Sequence, residues 1–177
     1  MKVILLAGGF GTRLGEFTNI IPKPMIPIGP YPIIWHIMKY YSAFGHTDFV
    51  ICLGYKGKVI RDFFVNYGLY TQDVTISLKN PAEYYFHGQH PEEDWKVTLV
   101  DTGLNTMTGG RISQISKYIN DENFFLNYGD GVGNVNLDKL LNFHLEHKKI
   151  LTVTGVRPPG RYGEIRNDGP VVTDFNE

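Results

Sequence analysis

The residues best suited to chemistry cluster near the amino terminus. Gly8, Gly9 and Gly11 follow the apolar run Val3 to Leu6 at once, Thr12 and Arg13 come next, and Lys23 stands further on between Pro22 and Pro24. Glycines after a strand let backbone N–H groups approach an anion, because no Cβ stands in the way. Thr12 adds a hydroxyl, and Arg13 a planar cation whose fork fits phosphate oxygens. With Leu6 and Ala7 at the end of the apolar run, these residues are expected to cradle phosphates. Lys23, held between residues of restricted φ, suits an amine that reaches back to the same anion. Taken alone it reads as readily as an ordinary surface lysine. Far along the chain, Asp130 stands between Gly129 and Gly131 after a second apolar run, Phe124 to Tyr128. A carboxylate so placed could meet a divalent cation, and Mg²⁺ typically takes one or two carboxylates plus substrate phosphates. Alone, Asp-Gly is as good a turn.

The commoner phosphate loops do not fit. A Walker loop needs Gly-x4-Gly-Lys-Ser/Thr, and that spacing is absent. A dinucleotide fingerprint would put glycine where Leu14 stands, and an acid at the end of the second strand, which instead closes on Gly54-Tyr55.

What remains, Leu6-Ala-Gly-Gly-Phe-Gly-Thr-Arg-Leu14 followed by Lys23-Pro24, resembles the signature of the sugar-phosphate nucleotidylyltransferases. Trp35-His-Ile-Met-Lys39, Gly54-Tyr-Lys-Gly57, Val97 to Gly103, Met107-Thr-Gly-Gly-Arg111, Tyr128 to Val132 and Pro158 to Gly163 extend the resemblance along the whole chain. Within that family they point to the branch that joins CTP to glucose 1-phosphate, making a CDP-sugar for surface polysaccharide such as O-antigen. The resemblance implies Mg²⁺ as cofactor, held by Asp130, and Arg13 and Lys23 as catalytic residues. It places Gly8, Gly9, Gly11, Thr12 and Gly129 on the nucleotide, and Thr108, Gly109 and Arg111 at the base pocket. Tyr162, Gly163 and Glu177 inherit the sugar contacts. Asn127 stands where a hydroxyl residue is expected in this branch. In similar proteins Lys-Pro and a further stretch follow the position of Glu177, including a phosphate-binding lysine and a second metal-binding aspartate. The chain is therefore expected to be the nucleotide-binding part of a longer enzyme, lacking the C-terminal part of the family fold, binding CTP weakly if at all and turning over poorly. Two alternatives stay open: a related enzyme with another NTP or sugar 1-phosphate, and a non-catalytic nucleotide-sensing subunit.

The elements that must position these residues read as α/β. Val3 to Leu6 is an unbroken apolar run, as in a strand covered on both faces. Glu16 to Tyr31, rich in proline, is expected to run extended. Ile33, Ile34, Ile37, Met38, Tyr41 and Phe44 recur at helical spacing before Gly45, a C-cap. A strand over 48–53, a helix over 58–67 and strands at 74–78 and 97–100 follow. Between the last two, 79–96 reads as an irregular loop, a lid or a subunit contact; His87 and His90 in it read as solvated rather than metal-ligating. Thr108 is expected to cap a helix with Ile112, Ile115 and Ile119 on its inner face. Phe124 to Tyr128 is the next strand. Asn136 is expected to cap a helix with an apolar stripe of Leu137, Leu140, Leu141 and Leu145 and with His144 and His147 solvated at its end, and Ile150 to Val156 reads as a buried strand. Glu164 to Arg166 and Val171-Val172 form a hairpin turned by Asn167-Asp168-Gly169. The expected fold is a Rossmann-like doubly wound, mostly parallel sheet flanked by helices.

Composition bounds the rest. A chain of 177 residues with 42% hydrophobic and 20% charged side chains supports one domain, residues 1–177, with a sizeable core. A net charge of −1 offers no basic field for nucleic acid. The lone Cys52, inside an apolar run, reads as a buried small hydrophobe in a reducing compartment. The apolar start breaks at Gly8, too soon for a signal peptide or a membrane span; a cytoplasmic protein without membrane contact is expected. Phe63, Phe64, Tyr67 and Tyr70 are more apolar surface than one sheet face needs, which points to a homo-oligomer.

Overall fold

A computed structural model describes residues 1–11, 21–80, 83–88, 94–120, 122–156 and 164–176. The elements begin with β1 (Lys2–Leu6), a 3-10 turn (Lys23–Met25), the two-residue strands β2 (Pro27–Ile28) and β3 (Tyr31–Pro32), and α1 (Ile33–Ser42). Next come β4 (Asp48–Leu53), α2 (Gly57–Val65), α3 (Tyr67–Thr71), β5 (Asp73–Ile76), β6 (Tyr84–His87) and β7 (Lys96–Asp101). α4 (Thr108–Gln114), a 3-10 turn (Ser116–Tyr118), β8 (Phe124–Tyr128), α5 (Leu137–His147), β9 (Glu164–Asp168) and β10 (Val171–Asn176) complete the chain. It forms two compact units, Met1–Leu137 and Asp138–Glu177.

The first unit is built on a four-stranded sheet of order β7-β4-β1-β8, parallel throughout. β1 and β4 are its inner strands. Val3, Ile4 and Leu5, like Phe49 to Cys52, are fully buried. That is why these strands read as continuous apolar runs: a face left to water would have selected polar residues at every second position. Ile4, Leu6, Val50 and Cys52 point to one face and pack with Ile115 and Ile119 beyond α4. Val3 lies beside Phe125 on the opposite face, where Tyr41 of α1 brings its ring to 5.6 Å from that of Phe125. Helices thus cover both faces, as a doubly wound sheet requires. The chain runs outward from β1 through β4 to β7, then returns to the free side of β1 as β8. The reversal makes a topological switch point between β1 and β8, and the carboxyl ends of all four strands share one edge.

Several expectations need correction. The alternation at 74–78 does mark a strand, but β5 pairs antiparallel with β6 outside the central sheet. Period-two alternation reveals an exposed face and not which strand lies alongside; the stretch expected to be irregular holds β6. The hairpin bend is tied by the Asn80 N–H to Ser77 Oγ at 3.2 Å and by Asn80 Nδ2 to Glu83 Oε1 at 2.8 Å. His87 is not merely solvated, since its ring meets Thr75 Oγ1 across that hairpin at 2.8 Å; His90 lies outside the described residues. Lys23 opens a 3-10 turn rather than an extended run. Thr108 is the first helical residue and Met107 takes the cap position without a side-chain bond, so Thr108 is not an N-cap. The aromatic group at Phe63, Phe64, Tyr67 and Tyr70 packs on itself, and Tyr67 also accepts the Trp35 indole N–H at 2.7 Å. Gly45, at φ +79°, does close the turn after α1.

In the second unit, Ile150 to Val156 is not a strand, and Ile150, Leu151, Val153 and Val156 are all exposed. An apolar run has the composition of a strand, but a strand also needs a ladder partner, and among the described residues none pairs with it. His144 and His147 are not free in solvent: both rings converge on Thr152 Oγ1, at 2.8 and 2.7 Å. β9 and β10 form the expected hairpin, with Gly169 at φ +57° in its turn and Asn167 and Asp168 inside β9.

Candidate functional site

A cavity of about 480 Å³ opens at the carboxyl edge of the sheet, within the first unit. One wall is the chain leaving β1, from Leu6 through Gly8 and Gly9 to Gly11, and the facing wall is the segment Leu104 to Thr108 that follows β7. Lys23, Pro24, Tyr128 and Asp130 close the third side. This is the crevice that the switch point predicts for a ligand.

The β1 wall is held by its neighbours. Ala7 N–H donates to Cys52 O at 3.0 Å and Tyr55 N–H to Gly8 O at 3.1 Å, so the loop leaves the sheet clamped to the end of β4. Gly11 sits at φ +67°, in the left-handed region that glycine enters without penalty.

Beneath the loop lies Arg111, only 5% exposed. Its Nη1 donates to Leu53 O at 3.0 Å and to Thr102 Oγ1 at 2.6 Å, and its Nη2 donates to Gly8 O at 3.0 Å and to Leu104 O at 3.3 Å. Two glycines make room for it. A Cβ on Gly8 would lie 2.1 Å from Nη1, and one on Gly54 would lie 2.8 Å from Nη1 and 2.6 Å from Gly8 O. Gly9, by contrast, has open space where a Cβ would stand. The glycine at position 8 therefore serves the buried guanidinium as well as any approaching anion. Cys52 lies close by in β4; burial pushes its thiol up to about 11, with the Arg111 cation pulling the other way.

At the mouth, Lys23 Nζ and Asp130 Oδ2 form an ion pair of 2.8 Å, each side chain about a third exposed at 29% and 30%. Pro22 and Pro24 flank the lysine and are buried. Asp130 stands two residues past the end of β8, in a turn where Gly131 N–H donates to Tyr128 O at 3.2 Å. Among the described residues no three of His, Cys, Asp and Glu converge as a ready-made metal cage. A hard divalent ion therefore fits only as one carboxylate completed by ligand oxygens. Asp130 is suited to that, since it already holds a cation, the Lys23 ammonium.

Leu6, Ala7, Gly8, Gly9, Gly11, Lys23, Thr108, Arg111 and Asp130 thus meet around one cavity although the sequence scatters them. Gly109 follows Thr108 and is exposed, while Gly129 is buried and its N–H is spent on Leu6 O at 2.9 Å. Thr12, Arg13, Tyr162, Gly163 and Glu177 lie outside the described residues. Sequence reasoning missed Phe10, Leu104, Asn105, Thr106, Met107 and Tyr128, which also line the cavity. All of them stand at the carboxyl end of a parallel strand or in the segment that follows it, and that position was the signal that could have found them.

The model of the nucleotidyl transferase family matches residues 2–177. The chain belongs to the nucleotidyl transferase family. It is 48% identical over 179 aligned positions to the glucose-1-phosphate cytidylyltransferase of Salmonella typhi, covering all of this chain and 68% of that protein. It is 41% identical to the probable glucose-1-phosphate cytidylyltransferase of Bacillus subtilis, with the same coverage. Among solved structures it superimposes on HddC from Yersinia pseudotuberculosis complexed with GMP-PN at a TM-score of 0.65 and 27% identity, covering 99% of this chain and 68% of that one. The parallel sheet flanked by helices is the family's α/β fold. Among the described residues no helix is long and apolar enough to cross a membrane.

Proposed function

We propose that the cavity binds CTP, and that the chain is the nucleotide-binding region of a cytoplasmic enzyme that forms CDP-glucose and pyrophosphate from CTP and glucose 1-phosphate, in nucleotide-sugar supply for surface polysaccharide. One juxtaposition carries the reading: a glycine loop, a lysine and a carboxylate stand on one rim, with Lys23 and Asp130 2.8 Å apart. A triphosphate is the ligand that uses all three. The relative at 48% identity supplies the choice of CTP and glucose 1-phosphate.

In the reaction a phosphate oxygen of glucose 1-phosphate attacks the α-phosphorus of CTP in line. The bond from that phosphorus to the α–β bridging oxygen breaks, and pyrophosphate leaves with the electron pair. Such a transfer asks for positioning and charge neutralisation more than for proton transfer. Backbone N–H groups of the Gly8–Gly11 loop orient the phosphates. Lys23 exchanges its carboxylate partner for α-phosphate oxygens and offsets the charge that grows there. Asp130, so released, is the residue that would hold Mg²⁺, which when bound neutralises phosphate charge. Arg13 is assigned to the departing pyrophosphate and Thr12 to the phosphate cradle. Thr108 and Gly109 face the base, and Tyr162, Gly163 and Glu177 contact the sugar. The exposed rings of Phe10 and Tyr128 suit the flat faces of a base and a sugar.

Calorimetric titration of the chain with CTP, UTP, GTP and dTTP in the presence of Mg²⁺ tests the reading. CTP is expected to bind at least tenfold more tightly than the others. Preference for another nucleotide moves the chain to a sister specificity, and no uptake of any of the four by either the chain or the full-length enzyme overturns the proposal.

A further inference from the structure

Asp130 sits where regular structure gives it little support. β8 ends at Tyr128, and residues 129–136 lie in no strand or helix before α5 begins. The ladder to β1 carries one residue further, with Gly129 N–H on Leu6 O at 2.9 Å. Beyond that point, two bonds among the described residues close the turn that presents the acid. Gly131 N–H donates to Tyr128 O at 3.2 Å, at the long end of the usual range. The other comes from a side chain: Asn127 Nδ2 donates to Gly131 O at 3.0 Å. Asn127 is itself fixed, since it stands in β8 beside Leu5 of β1. Its amide runs so close along the turn that a Cβ on Gly131 would lie 3.2 Å from Oδ1. The side chain thus reaches from the strand before Asp130 to the residue after it.

Resting on the reading of the cavity as a nucleotide site, we propose that Asn127 is a positioning residue for Asp130. It does not line the cavity. Its amide ties the far end of the turn back to the sheet, and so fixes the carboxylate where it can pass from the Lys23 ammonium, 2.8 Å away, to a divalent cation that arrives with the phosphates. A carboxylate on a loose turn would lose conformational entropy at each capture of the ion, whereas a tied turn meets that cost when the chain folds. The departure at position 127, where a hydroxyl residue is expected, then has a physical reason. An amide carries its donor one bond farther from the backbone than a hydroxyl does, and that reach is used on Gly131 O, four residues on.

Calorimetric CTP titrations with Mg²⁺ and with EDTA, and solvent exchange of backbone amides by NMR, test the proposal on wild type, Asn127→Ala and Asn127→Ser. The serine variant keeps a polar side chain too short to span the turn, and serves if Asn127→Ala fails to fold. Exchange is read on the ligand-free chain, and the titrations are run on the chain and on the full-length enzyme. The gain in CTP affinity that Mg²⁺ brings should shrink by about tenfold, the low end for groups that hold a metal ligand in place, while affinity in EDTA stays within about twofold. The Gly131 amide should exchange about fivefold faster or more, with the ladder-bonded Gly129 amide unchanged. Affinity lost equally in Mg²⁺ and EDTA would make Asn127 a general support of the pocket and overturn the proposal. An unchanged Mg²⁺ gain, no Mg²⁺ gain in wild type, or unchanged exchange at Gly131 overturns it too. If neither the wild-type chain nor the full-length enzyme takes up CTP, the nucleotide reading fails instead, and exchange at Gly131 decides by itself whether Asn127 holds the turn.

Discussion

Gly8→Ala is the sharpest perturbation the geometry offers. The added Cβ would lie 2.1 Å from Arg111 Nη1 and 2.5 Å from Cζ, so the guanidinium must move. Moving it strains or breaks bonds to Gly8 O, Leu53 O, Thr102 Oγ1 and Leu104 O. Overpacking alone costs about 1–3 kcal/mol, and each lost hydrogen bond to a charged group costs roughly 1.5–3 kcal/mol. Because such terms share one side chain they do not add, and about 3 kcal/mol is expected in total. For a chain of this size that lowers Tm by roughly 6–12 °C. Gly9→Ala is the matched control: its Cβ meets nothing, and the change should stay within about 0.5 kcal/mol. Urea unfolding of the two variants, repeated on an Arg111→Ala background, measures the coupling. With the guanidinium gone, Gly8→Ala should cost less than about 1 kcal/mol more. Equal costs for the two alanine variants, or the same Gly8→Ala cost with and without Arg111, would refute the claim that Gly8 is glycine for the sake of this arginine.

The Lys23–Asp130 pair is partly exposed, so Lys23→Ala should change stability by less than about 1 kcal/mol. In a pyrophosphate-release assay on the full-length enzyme the same variant should lower the kcat of CDP-glucose synthesis by roughly a hundredfold or more; an unchanged rate removes it from the catalytic residues. Asp130→Asn should erase the difference between CTP titrations run with Mg²⁺ and with EDTA, and a difference as large as wild type would show that the metal is held elsewhere. The folded-state thiol of Cys52 is raised to about 11 from 9.0, so its contribution is complete below pH 9 and is lost as pH rises toward 11. Stability to urea should therefore fall by roughly 2–3 kcal/mol over that window, and Cys52→Ala should flatten the decline. Tyr41, raised to about 12 from 10.0 by burial, adds a loss of the same sign at higher pH.

The inner strands β1 and β4 were legible because each is an apolar run covered on both faces, and the loop after β1 because its glycines follow such a run directly. Sheet order was not legible. Nothing in Phe124 to Tyr128 says that this last strand returns to the side of β1, and it is the return that brings Asp130 to Lys23. The burial of Arg111 was not legible for a related reason. A cation at a helix start after two glycines looks available to a ligand, and its burial depends on Gly8, Gly54 and Thr102, three positions that only the folded chain brings together. At Ile150 to Val156 hydrophobicity stated that the residues are apolar, not that anything covers them.

The claim on which the rest depends is that the glycine loop and Asp130 grip one triphosphate. Titrating ¹⁵N-glycine-labelled chain with CTP and Mg²⁺, and following the amide resonances, tests it most directly. The amides of Gly8, Gly9, Gly11 and Gly131 should shift together at one affinity while Gly45 and Gly169 stay still. Shifts confined to glycines away from the cavity, or none at saturating CTP, would contradict it.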